Sequence, residues 1–254
     1  MVAAFGSLKS ATRAVIAGIR EDAWIQARLK RSDDLLVYLG LSRLSRRPRY
    51  SDLPRTLQRD VKSLFGSYGS AVTDADQLLF SAGDMSRVRA ACSACPVGKL
   101  TNTALYVHVD ALDDVPAILR IYEGCARTFI GTIVDATLIK LRFDDPVVSY
   151  LAYPTFDVDP HPPLAGSIVV PLQTFRVSFR DYSKRANPPI LHRKELFVPK
   201  GYPARSKFER LTRQEERWEL LDETARIGTR HGWEERLEEC GVRLAGHRLV
   251  RVRR

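Results

Sequence analysis

The chain is poor in the residues that most often announce a chemistry. Its 254 residues include only four cysteines, two methionines and five histidines. Cys92, Cys95, Cys125 and Cys240 are too few for a disulfide scaffold at this length and fit reduced thiols in a cytoplasmic setting. Cys92 and Cys95 form a lone CxxC without the second pair or the nearby histidines that zinc normally takes, and they read as small residues closing a helix before Pro96. No apolar run approaches the roughly 20 residues of a membrane-spanning helix, the longest stretches, such as Ala165–Leu172, being strand-length. A basic head followed by a long apolar stretch and a cleavage site is also missing, so no secretory signal is expected and no membrane partner is implied. The strand–GxGxxG–helix, GxxxxGK[ST], GxSxG and HExxH patterns do not occur. That leaves the usual nucleotide cradles and two common hydrolase signatures without a seat, and neither ATP nor a methyl donor has a visible one.

What is present is cationic and globular. Apolar residues make up 44% and charged residues 28%, which excludes a disordered or collagenous chain. Forty Lys and Arg stand against thirty Asp and Glu, a formal charge of +10, with the surplus at the two ends. Arg43, Arg46, Arg47 and Arg49 crowd into Leu41–Tyr50. Guanidinium forks match phosphate geometry and release counterions on binding, so a polyanion is the natural partner of such a cluster, the bland alternative being a solvated loop. From Phe208 to Leu221 Glu and Arg interleave at the spacing of surface ion pairs, which predicts a solvated helix face. The closing Gly246–Arg254 reads either as an edge strand or as a phosphate-touching tail.

The pattern predicts an α+β fold, with a helical region over 1–95 and an α+β region over 96–254. Phe5, Leu8, Val15, Ile16 and Ile19 recur near helical spacing; Ser32-Asp-Asp reads as the N-cap of a helix over Leu35–Leu41; Ser51–Arg55 starts another, Tyr68–Ser70 interrupts, and helices follow to Phe80 and Cys95. After Pro96 the period shifts to two. Strands are expected over 103–109, 137–143, 147–153, 166–172, 174–180 and 190–198, with a helix over 115–129 and two more over 204–222 and 230–240. Strands in succession followed by helices predict a mainly antiparallel sheet with flanking C-terminal helices.

Two clusters carry candidate chemistry. In Tyr153–Pro163, Asp157, Asp159 and His161 alternate, so in an extended segment all three point the same way, and the prolines stiffen that segment. Such donors can hold a divalent metal for phosphodiester chemistry, or an Asp–His pair can act as acid and base; the alternative is a rigid turn whose carboxylates cap backbone N–H groups. In Asp181–Glu195, Lys184, Arg185, Arg193 and Lys194 are placed to hold phosphates while Tyr182 and Asn187 reach bases or sugars, with His192 and Glu195 beside them; the alternative is a wet strand edge. His108, inside an apolar strand, reads as a hydrogen-bonded core residue, and His231 and His247 carry no signal.

Several segments, in one order along the chain, resemble the DNA phosphorothioation-associated methyltransferase family. They are Asp34–Leu39, Arg46–Pro54, Thr103–His108, Tyr122–Arg127, Val147–Pro154 with Phe156–Pro162, Asn187–Glu195 and Leu211–Glu216. The resemblance implies a link to bacterial systems that replace a non-bridging phosphate oxygen of DNA with sulfur. Longer members carry an S-adenosylmethionine-binding region, and this chain corresponds to the part outside it. The implied function is a DNA-associated module without a cofactor of its own, docking on the backbone through the Arg43–Arg49 and Lys184–Lys194 clusters. DNA, in phosphorothioate-modified form or not, is then the partner, and S-adenosylmethionine belongs to a methyltransferase partner or domain. The alternatives are a metal-dependent nuclease using Asp157, Asp159, His161, His192 and Glu195, and an interaction scaffold built on the C-terminal helices.

Overall fold

The computed structural model describes residues 7–18, 20–131, 133, 135–174 and 176–252. Phe5, Ile19, Arg253 and Arg254 lie outside the described residues, as do the side chains of Leu8, Val15 and Ile16. The architecture is α+β, in two compact units, residues 1–79 and 80–254.

The first unit is helical, with α1 (Leu8–Gly18), α2 (Glu21–Ser42), α3 (Arg55–Phe65) and the body of α4 (Tyr68–Ser81). Ser32 does not cap a helix. It lies inside α2, which starts at Glu21 with Glu21 and Asp22 in the first turn, where carboxylates favour the helix dipole. Extending a formed helix costs far less than nucleating another, so the polar Ser32–Asp34 step is carried through. The interruption expected at Tyr68–Ser70 falls earlier, at Gly66, whose φ of 74° suits a residue without Cβ. Leu35, Leu39, Leu53, Val61, Ala71 and Ala75 form the core of this unit.

The second unit begins with α5 (Met85–Ser93), capped by Asp84, whose carboxylate accepts from the Ser86 N–H at 2.9 Å. Although α5 belongs by pattern to the helical region, it packs on α6 (Ala117–Ile130). Six antiparallel strands follow as a meander in sequence order: β1 (Lys99–Leu100), β2 (Ala104–His108), β3 (Leu138–Arg142), β4 (Val147–Ala152), β5 (Gly166–Pro171) and β6 (Ser178–Asp181). After them come α7 (Arg205–Arg217), α8 (Arg230–Glu239) and a separate hairpin of β7 (Val242–Leu244) and β8 (Leu249–Arg251). The expected strand over 190–198 is absent: Pro189 and Ile190 make single bridges, Arg193 takes a φ of 54°, and Lys194–Leu196 is a 3-10 turn. Pro188 and Pro189 offer no N–H to a ladder, and a positive φ ends extended backbone. No helix among the described residues is long and apolar enough to cross a membrane.

Strand register sorts the sheet into two faces. Leu105, Val107, Ile139, Leu141, Val148 and Tyr150 share one, all buried, and α6 covers it. Tyr122 O–H donates to the Arg142 carbonyl at 3.0 Å, and Tyr150 O–H donates to Glu123 Oε1 at 2.9 Å. On the other face Tyr106, Leu138 and Leu151 meet Tyr153, Phe156, Phe197, Val198 and Phe208. The connection from β4 to β5 and the segment from β6 to α7 are therefore both pinned to this second face.

Burial pushes the Glu123 carboxyl up from its usual value near 4.5, against the opposing pull of Arg127, 3.2 Å away, and of Tyr150. A raised acid contributes stability that is present below about pH 4.5 and lost as pH rises through the folded-state value. Glu123→Gln keeps an acceptor for Tyr150 and removes that linkage. In urea unfolding across pH 4 to 8, the variant is expected to lose less stability with rising pH than the wild type; parallel profiles would clear this carboxyl of the effect.

Candidate functional site

Of the four N-terminal arginines expected to meet a polyanion, two are engaged within the first unit. Arg47 Nη2 lies 2.5 Å from Asp76 Oδ1 while its Nε donates to the Leu39 carbonyl at 3.2 Å, and Arg43 donates to Oδ2 of the same carboxylate. The hydrogen bond from Arg47 is the largest cause holding the Asp76 carboxyl below the usual carboxylate range. Arg46 and Arg49 are exposed.

In the second unit, residues 154–158 form turns, with Phe156 N–H donating to the Tyr153 carbonyl at 3.0 Å and Asp159 N–H to Thr155 at 2.8 Å. The alternation of Asp157, Asp159 and His161 therefore does not carry into space, because the loop pairs its backbone locally instead of running extended. Exposed Asp157 accepts from Tyr202 O–H at 2.9 Å, Asp159 offers its carbonyl to Lys194, and His161 turns inward.

Lys194 is 2% exposed, which removes it from the expected phosphate-binding cluster. Its ammonium donates to the Phe156 carbonyl at 2.6 Å and the Asp159 carbonyl at 2.5 Å, and lies 4.1 Å from the centroid of the Phe208 ring. Burial, then the charge of Lys207, pushes its pKa down to about 7. Arg193 is held by Glu216 at 2.6 Å. Glu195 is buried, accepts from the Thr212 hydroxyl at 3.0 Å, and has its carboxyl pushed up by that burial. Asn187 accepts from the His231 N–H at 2.9 Å in the first turn of α8, a structural contact in place of the expected reach toward bases. His247, read as carrying no signal, stacks on Phe208, with its Nε2 3.4 Å from the Lys194 ammonium. His108 is the buried core residue expected, its Nδ1 accepting from the Asp110 N–H at 3.2 Å.

His161 and His192, thirty-one positions apart, come face to face with ring centroids 4.3 Å apart, and the Trp233 ring closes on both at 4.6 and 4.8 Å. His161 Nδ1–H donates to the Leu191 carbonyl at 3.2 Å and His192 Nε2–H to the Ile227 carbonyl at 2.8 Å. Each ring is thereby fixed in one tautomer, with its second nitrogen turned toward the other. Burial, then the neighbouring His161 ring, pushes His192 down to about 3, so its Nδ1 keeps a lone pair. Glu215 Oε1 stands 2.8 Å from His161 Nε2 without hydrogen-bond geometry, and His161 Nε2, His192 Nδ1 and both Glu215 oxygens are buried without a hydrogen-bond partner. Their ligand atoms lie within 4.8 Å of one another, and no other group of three His, Cys, Asp or Glu among the described residues does so.

Glu215 is the residue that sequence reasoning missed. The solvated face expected over 208–221 exists, with Arg205 and Arg213 paired to Glu209 at 2.9 and 3.5 Å, but α7 also has an inner face of Phe208, Leu211, Thr212 and Glu215. Spacing from Phe208 to Leu211 to Glu215 is helical, and following that apolar stripe would have drawn Glu215 inward.

A different surface lies along β6, the sheet's outer strand, where all four residues are exposed and Phe179 is 68% exposed. Arg176, Arg180, Lys184 and Arg185 surround it, none within 4 Å of a carboxylate oxygen among the described residues, and the Arg185 guanidinium lies 4.4 Å from the centroid of the Tyr182 ring. Beside this edge opens a cleft of about 860 Å³ lined by Tyr150, Ile168, Phe179 and Tyr202, whose carboxylates Asp110, Asp135 and Asp157 make it a poor seat for phosphate.

The shared carboxylate of the first unit gives a direct test. Asp76→Asn leaves two guanidiniums without their anion and is expected to cost about 1–2 kcal/mol of stability by urea unfolding at pH 7. Since the Asp76 pKa is lowered, the wild-type advantage is present above the usual carboxylate pKa and is lost as pH falls through the folded-state value. Equal stability of the two proteins at pH 7 would contradict the pairing. No protein-family model, curated protein or solved structure matches the chain.

Proposed function

We propose that the chain is a DNA-associated module of a phosphorothioation-linked modification system, as its resemblance to the methyltransferase family of those systems implies. It works in the cytoplasm and docks on the sugar–phosphate backbone through the outer edge of its sheet. The methyl donor, S-adenosylmethionine, is bound by a partner or a further domain. The observation that supports this most is the strip of Arg176, Arg180, Lys184 and Arg185 beside the exposed ring of Phe179 and the half-buried ring of Tyr182, which makes no ion pair within 4 Å among the described residues even with Asp181 in the same strip, where Arg43, Arg47 and Arg193 are neutralised. Cations without internal anions are the ones that release counterions from DNA, and an exposed ring adds a stacking surface. Arg46 and Arg49 offer further contacts from the first unit.

Phosphodiester hydrolysis at the Asp157/Asp159/His161 loop has less support, because Asp157 is tied to Tyr202 while His161 faces the interior. Charged edge strands also deter sheet-to-sheet pairing, and that role predicts no salt response to DNA. Duplex DNA should bind with an affinity that falls steeply between 50 and 200 mM salt. The triple variant Arg180→Glu, Lys184→Glu, Arg185→Glu should weaken binding at least about tenfold and flatten the log–log salt slope by about three. Duplexes with and without phosphorothioate show whether sulfur is sensed. A salt-independent affinity, or an unchanged one in the triple variant, would refute the surface.

A further inference from the structure

We propose that His161, His192 and Glu215 form a binding site for a single divalent transition metal ion, zinc being the best match to their chemistry. Three features carry this together. The first is the donor set: two imidazoles and a carboxylate are a recurrent zinc combination, and neutral imidazole is the commonest nitrogen ligand. The second is tautomer control. Metal-bound histidines typically donate their other ring N–H to a carbonyl or carboxylate, and here His161 donates to Leu191 and His192 to Ile227, leaving lone pairs at Nε2 and Nδ1.

The third feature is unsatisfied polarity. His161 Nε2, His192 Nδ1, Glu215 Oε1 and Glu215 Oε2 are all buried and make no hydrogen bond; the other buried side-chain atoms in that condition among the described residues, Glu123 Oε2, Thr155 Oγ1, Trp233 Nε1 and Arg236 Nε, each belong to a different side chain, whereas these four gather within one donor set. Four orphans around one point are costly unless something fills it, and a cation satisfies all of them at once. Ligand atoms on a tetrahedral zinc with bonds of about 2.0 Å stand about 3.3 Å apart. The present atoms lie within 4.8 Å of one another, with His161 Nε2 and Glu215 Oε1 2.8 Å apart, so that spacing falls inside the range they already span.

With Glu215 fully buried and the His161 side chain 5% exposed, the ion would act as a staple and not as an open reaction centre. It would join three separate pieces of chain, the β4–β5 connection, the segment after Pro189 and α7, under the Trp233 ring. Nothing in this site depends on the β6 edge, so DNA binding and metal binding stand or fall separately.

The test uses the full chain. After expression with zinc and removal of free metal, elemental analysis is expected to find one zinc per chain. Chelation should lower Tm by several degrees, and zinc should restore it. Cobalt substituted for zinc should give visible d–d bands and quench Trp233 fluorescence, and Trp233→Phe should abolish the quench while keeping the stoichiometry. Glu215→Gln and His192→Ala should each weaken the metal at least about 100-fold. Asp157→Asn, outside the cluster, should not. Wild-type protein that holds no stoichiometric metal and shows neither a zinc-dependent Tm nor cobalt bands would overturn the proposal. So would unchanged affinity in folded Glu215→Gln protein.

Discussion

The second unit depends on one buried ammonium. Lys194 donates to the carbonyls of Phe156 and Asp159 from within a cage whose walls are the rings of Phe156 and Phe208. Taking a charge out of water costs several kcal/mol, and the cost is offset only when strong acceptors and polarisable rings surround it. These carbonyls lie on the β4–β5 connection, so the lysine fixes the shape of a loop that prolines keep out of the sheet. That shape turns His161 inward while leaving Asp157 at the surface. The 3-10 turn carrying Lys194 follows Arg193, whose left-handed backbone redirects the chain there, and Glu195 beside it anchors to Thr212 of α7. One cation thus sets the positions of three elements at once.

Part of the charge in this protein is spent on its own ion pairs. Arg43 and Arg47 share Asp76, Arg193 meets Glu216, Lys194 is enclosed, and Arg226 gathers Glu235 and Glu239 at 3.3 and 2.6 Å. A surplus of ten positive charges therefore says little about where an anion can land; what matters is which cations lack a carboxylate neighbour. On the outer strand of the sheet Arg180 makes no ion pair within 4 Å among the described residues, and the edge position leaves Phe179 and Arg180 paired to β5 on one side only.

Much of the fold was legible in the amino-acid order. Ala104–His108, Leu138–Arg142 and Val147–Ala152 are short apolar runs of strand length, as burial on both faces of a sheet imposes, and Leu119, Tyr122 and Ala126 have the period of a helix buried on one side. Departures occur where a local rule meets a longer-range one. Ser32-Asp-Asp is a good cap, but a helix already running from Glu21 passes through it. The β-rich run after Pro189 is interrupted by prolines and by a left-handed residue, neither of which a hydrophobicity period registers.

The candidate sites divide in the same way. Composition and motif by themselves established an α+β chain with a cationic surplus, lacking the usual nucleotide-cradle motifs, and with His161 and His192 in its two most unusual loops. Only the tertiary structure decided that these histidines face each other and that Glu215, seemingly part of a solvated helix, joins them. It alone separated neutralised arginines from free ones. The physical reason is range: periodicity and capping act over a few residues and can be read along the chain, whereas the convergence of positions 161, 192 and 215, and the pairing of 43 and 47 with 76, exist only once distant segments are packed together.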